Sequence, residues 1–114
     1  MPWYVYVLQV VSGLLITNGI PHFVQGLCGH PFQSPFAKPP GIGESSPLSN
    51  VYWGFANLAG GAALLAKFAP TSAHDYLGWG LFCAGSLAIG TQLALHFGKV
   101  RAANYVHAKH KANA

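Results

Sequence analysis

The chain has 114 residues, enough for one domain and too few for two. Only 7% are Asp, Glu, Lys or Arg while 52% are hydrophobic, against about 25% charged in a typical soluble domain, so the composition is that of a membrane protein. The net charge of +4 does not signal nucleic acid, because four of the six cations sit in one tail and no groove-sized basic face exists.

No charge precedes Lys38, and residues 45–66 and 76–98 are also free of Asp, Glu, Lys and Arg. Each run is long enough to cross a bilayer, which takes about 20 residues at a rise of roughly 1.5 Å. The expected fold is therefore all-α, a single membrane domain of three transmembrane helices near residues 3–28, 50–69 and 76–98, with a cytoplasmic loop 29–49 and a basic cytoplasmic tail 99–114. The mean hydropathy of +0.34 averages these spans with the polar loop and tail.

The first span opens on MPWYVYVLQ, with no basic residue and no cleavage signal after its apolar core, which argues against a signal peptide. Trp3, Tyr4 and Tyr6 are placed to anchor it at the outer interface. Pro21 removes a backbone donor late in this helix and is expected to kink it, freeing the Thr17 carbonyl. Asn18, His22 and Gln25 fall at i, i+4 and i+7, on one face.

The connector GHPFQSPFAKPPGIGESSPLSN carries five prolines and three glycines in 22 residues. So long a loop is uncommon unless it is functional or disordered. We read it as an ordered lid, a disordered linker being the alternative. Phe32 and Phe36 are apolar enough to lie on the membrane or to fold back into the bundle.

The second span has Ser49 or Asn50 as its expected N-cap. Asn50, Gly54, Asn57 and Gly61 share a face, and Tyr52 and Trp53 are expected as interface anchors. Ala56, Ala59, Gly60 and Ala63 form a stripe of small residues. The third span has matching ridges, Gly80–Ala84–Ala88 and Ser86–Gly90–Ala94. Small residues permit close backbone approach in lipid, so the second and third spans are expected to form a tight antiparallel hairpin through the turn PTSAHD. Tyr76 and Trp79 mark its outer end. Gln92 and His96 continue a face begun by Gly85 and Ala88.

Lys99, Arg101, Lys109 and Lys111 in the tail, with Lys38 in the connector, mark the cytoplasmic side, leaving the N-terminus outside. Cys28 and Cys83 then lie at different depths, too far apart for a disulfide, and are expected to pack as small hydrophobes. The tail histidines His107 and His110 fit a solvated or headgroup-bound helical extension, and His30 and His74 sit in loops without a partner.

Counted from the cytoplasmic boundary, His22, Asn57 and Gln92 lie about 9–10 Å deep and His96 about 5 Å deep, at roughly 1.5 Å per residue. Asn18, His22, Asn57, Gln92 and His96 are thus the candidate ligand- or cofactor-binding residues, lining a polar cavity under the connector if the three faces converge. The cofactor is unknown; His22 and His96 could hold a haem or a metal. No H-x-x-x-H or C-x-x-C spacing supports a metal site, and none is assigned. No catalytic residue is assigned either, since no G-x-S-x-G elbow is present and Glu44 and Asp75 fall in loops.

NGIPHFVQG followed by FQSPFAKPPGIGESSPLSNVYWGFANL, residues 18 to 58, resembles a signature of small multi-pass membrane proteins of bacteria. That resemblance names no activity; it implies that the connector belongs with the helix ends around it. GIPHF is similar to a segment of the DoxX-like group of four-helix membrane proteins. The three spans here depart from that group, and no function carries over.

The functional expectation is a binding or accessory subunit of a bacterial inner membrane, a homo-oligomer or part of a larger membrane complex, in contact with lipid and not with nucleic acid. A redox subunit using His22 and His96 on haem or quinone, or a small-solute transporter, are the alternatives.

Overall fold

The computed structural model describes residues 2–113, of which the ordered elements are α1 (Trp3–Leu27), β1 (Phe32–Gln33), β2 (Glu44–Ser45), α2 (Pro47–Lys67) and α3 (Tyr76–Ala112). The chain is 74% helical. Two of the helices, α1 and α3, are long and apolar enough to cross a membrane.

Helix α1 has 25 residues and continues through Pro21 to Leu27. Helix α2 begins earlier than expected. Ser46, not Ser49 or Asn50, is the N-cap: its Oγ accepts from the Ser49 amide at 3.1 Å, and Pro47 occupies the first turn, where its missing N–H costs nothing. Asp75 starts α3, with Oδ1 accepting from the Gly78 amide and Oδ2 from the Thr71 amide, each at 3.0 Å. Helix α3 then runs 37 residues, without a break between the apolar segment and the basic tail. Residues 101–112 are exposed throughout, so the tail is a helical extension beyond the bundle.

Helix α1 is the centre of the bundle, and the expected α2–α3 hairpin is not formed. Antiparallel to α1, α2 follows it with Pro47 and Val51 against Gly26, Gly54 and Leu58 against Gly19, and Gly61 against Ile16. Helix α3 is parallel to α1, with Gly85 against the Val10 carbonyl and Phe82 against Gly13. The reason lies in α1 itself. Its Gly13, Gly19 and Gly26 have no Cβ and admit a neighbouring backbone directly, closer than an alanine allows. A methyl group at Gly19 would stand 2.8 Å from the Gly54 carbonyl oxygen. The alanine stripes instead face outward: Ala56, Ala59, Ala63, Ala84, Ala88 and Ala94 are all exposed, and nothing approaches Gly80.

The interior is polar and the exterior apolar. Among the described residues seven polar side chains are buried against four hydrophobic ones, while Leu87 is 71% exposed and Phe55 60%. A water-soluble core shows the reverse. Only 28% of the apolar stretch of α1 and 6% of that of α3 are buried within the molecule. Cys28 and Cys83 belong to this exterior. They are unpaired, but both are exposed and not packed inside as expected, because Cys83 falls on the outward side of α3 and Cys28 lies at the exposed C-cap of α1.

The connector folds back across one end of the helices. Phe32 pairs with Ser45 and Gln33 with Glu44 in a two-stranded antiparallel ladder. Between them, the Ser34 carbonyl accepts from the Gly41 amide at 2.9 Å, closing a tight loop. Gly41 has φ +73, a left-handed conformation that glycine adopts without a Cβ penalty. Phe32, Gln33, Ser34 and Ala37 are buried, whereas Phe36 is exposed and stacks edge-on against Trp53 at 5.0 Å.

A loop-roofed cleft as candidate functional site

Along the α1–α2 seam the buried polar groups form a ladder. Gln9 Nε2 donates to the Phe68 carbonyl at 3.2 Å, Ser12 Oγ to the Gly61 carbonyl at 3.0 Å, and Asn18 Nδ2 to Asn57 Oδ1 at 3.1 Å. His22 Nδ1 lies 2.9 Å from Asn50 Oδ1 and completes the series. Asn50, Gly54, Asn57 and Gly61, placed on one face by their spacing, are the four buried residues of α2.

Asn50 ties this ladder to the connector. Its Nδ2 donates toward the carbonyls of Phe32 at 3.1 Å, Ser45 at 3.2 Å and Ser46 at 3.1 Å. His96 makes the second tie, with Nε2 2.7 Å from the Gly41 carbonyl oxygen. A carbonyl only accepts, so Nε2 carries the proton. Phe32 fills the space between, with its ring centroid 5.3 Å from that of His22 and 4.8 Å from that of Phe97. The Arg101 guanidinium sits 5.5 Å over the same ring, on the tail side.

Because α2 and α3 pack on α1 and barely on each other, a cleft remains between them. It has a volume of about 180 Å³. Asn18 and His22 of α1 form its floor, Trp53 of α2 one wall, Leu93, His96 and Phe97 of α3 the other, and Gln33, Ser34, Pro35 and Gly41 its roof. No Asp, Glu, Lys or Arg lines it. A second hollow of about 260 Å³ lies between Ile42 and Lys99, Val100, Ala103 and Asn104. The buried polar groups converge on the first.

Of the five residues expected at the site, three meet there: Asn18, His22 and His96 all line the cleft. Asn57 is buried one step behind, holding Asn18 and donating to the Trp53 carbonyl at 2.8 Å. Gln92 is exposed and takes no part. The inward register of α3 runs through Phe82, Gly85, Ile89, Leu93 and His96, and Gln92 stands beside it with Ala88. Gln25, placed on the His22 face by spacing, is only half-buried.

Three contributors escaped the sequence reading. Asn50 stood on the right face of α2 but was weighed as a helix cap. Trp53, expected as an interface anchor, lines the cleft, and its indole nitrogen is buried without a hydrogen-bond partner. Gln33, whose Oε1 is buried without a partner, comes from the connector, where no periodicity marks a face. Among the described residues no three His, Cys, Asp or Glu side chains gather as metal ligands. No protein-family model, curated protein or solved structure matches the chain.

Proposed function

We propose that this is a small integral membrane protein of a bacterial inner membrane, with three spans, the N-terminus outside and the C-terminus cytoplasmic. It acts as a binding or accessory subunit whose cleft takes a small uncharged ligand. The observation that carries the reading is the cleft itself, where three helices and the connector bring Asn18, His22, His96 and Trp53 around about 180 Å³ without a charged side chain. Buried polar groups inside an apolar exterior mark functional sites in membrane proteins.

The third span rests on α2, whose 21 residues carry no charge before Lys67 and whose outward residues include Tyr52 and Phe55. Such a helix is long enough to cross. The cations Lys38, Lys99, Arg101, Lys109 and Lys111 gather at the cleft end of the molecule and support placing that end in the cytoplasm. Gly80, Ala84 and Ala88 leave a flat outer ridge that ends at exposed Gln92, which supports association with a second copy or with a larger complex.

The haem alternative is not favoured. A volume of about 180 Å³ lies below the roughly 300–1,000 Å³ of pockets for drug-sized ligands, and a porphyrin is larger still. The test is solvent extraction of the protein purified in mild detergent, followed by mass spectrometry. The unmodified chain should yield a small organic molecule that is missing from a Leu93→Trp variant, in which the indole fills the cleft. Identical extracts would contradict the reading.

A further inference from the structure

The hydrogen bonds around Asn50 fix which atoms of the cleft accept. The Nδ2 of Asn50 faces three carbonyls, so its Oδ1 is the atom turned to His22. An amide oxygen only accepts, so His22 Nδ1 bears the hydrogen. In the neutral ring Nε2 is then a bare acceptor. No described residue donates to it, and His22 is only 3% exposed. His96 repeats the pattern in mirror fashion. With its Nε2–H given to Gly41, its Nδ1 is the acceptor.

A cleft lined by a buried imidazole acceptor that no protein group serves selects a hydrogen-bond donor. The absence of any carboxylate among the lining residues disfavours a cationic donor, because a buried charge without a partner is costly. A hydroxyl meets the remaining chemistry, since it can also accept, and the Trp53 indole N–H is a buried donor lacking a partner. Size and shape narrow the carrier. A cavity of about 150 Å³ holds one benzene, and this one measures about 180 Å³ between the flat rings of Trp53 and Phe97.

We propose that the cleft binds a single uncharged aromatic ring through its hydroxyl, a phenol-type group that donates to His22 Nε2. This deepens the binding reading above and rests on it. The ring can be a free small molecule or the head of a tailed phenol or quinol dissolved in the bilayer.

Calorimetric titration of the purified protein with phenol and with anisole separates donor recognition from ring packing, because the methyl ether fills the same space and cannot donate. Partitioning into protein-free micelles is subtracted. Phenol should bind about tenfold more tightly, the effect of one hydrogen bond to a buried acceptor. In His22→Asn, whose amide N–H can still serve Asn50 but which has no counterpart of Nε2, the preference should fall to about one. Cys83→Ser, on the outer surface, should keep it.

Equal affinities for phenol and anisole in the unmodified protein overturn the hydroxyl assignment and leave the cleft reading standing. If neither ring binds while the extract still yields a molecule lost in Leu93→Trp, the ring class alone is wrong. Repeating the titration with 4-decylphenol in lipid nanodiscs identifies the source. A gain over phenol beyond partitioning assigns a tailed membrane phenol, and no gain assigns a free one.

Discussion

Asn50, which is buried, and Asn18, which is half-buried, are amides bonded across the same seam, yet their weights should differ. Asn18 makes one interhelical bond, and such bonds in lipid average about 0.6 kcal/mol. Asn50 faces His22 and three carbonyls of the connector and its junction with α2. Removing it leaves several groups unsatisfied, at about 1–3 kcal/mol each. Asn50→Leu should therefore lower the melting temperature in detergent far more than Asn18→Leu, and should expose the connector to protease. Comparable shifts would mean that the connector is held by something other than Asn50. His22 and Asn57 were legible from spacing because polar residues repeating at helical intervals in an apolar span have few places to go. Gln92 was misread for a related reason. A face drawn on one helix spans a wide arc, and only the position of the neighbouring helix decides which edge of it is covered.

At the scale of the element, α1 was legible as a helix and not as the centre. Scanning for small residues rewards the alanine stripes of α2 and α3, yet the close approaches use glycines such as Gly13, Gly26 and Gly85, where a carbonyl occupies the place of a side chain. Gly85→Ala should cost about 1–3 kcal/mol by forcing α3 off the Val10 carbonyl, whereas Ala84→Leu on the outer face, which keeps helix propensity, should change thermal stability little. Thermal melts of both variants check this, and equal stability of Gly85→Ala and the parent would place α3 elsewhere. The start of α3 carries a pH signature. The amides of Gly78 and then Thr71 hold the Asp75 carboxyl below the ordinary value of 3.8. The cap is therefore fully present above that value and is lost as the pH falls through the lower, folded one. Asp75→Asn should abolish this acid-dependent part of the melting temperature while keeping a cap at neutral pH. The connector was the least legible element. Its fold comes from a short ladder, a left-handed glycine and two ties to distant side chains, none of which has a period to read.

At the scale of the molecule, composition and charge spacing made the helical architecture legible, because 7% charge leaves few ways to arrange the chain in water. They could not say how three helices share one seam. The central claim is that this chain is turned outward to lipid and inward to a polar cleft, with α2 crossing as α1 and α3 do. Spin labels at Phe55 on α2 and Leu87 on α3, in protein reconstituted into vesicles, test it most directly through their accessibility to oxygen and to a water-soluble nickel chelate. We expect both labels to be reached by oxygen and not by nickel, and a label at Lys38 to show the opposite. Nickel access at Leu87 and Phe55 would put these faces in water and contradict the membrane account, and nickel access at Phe55 alone would remove the third span.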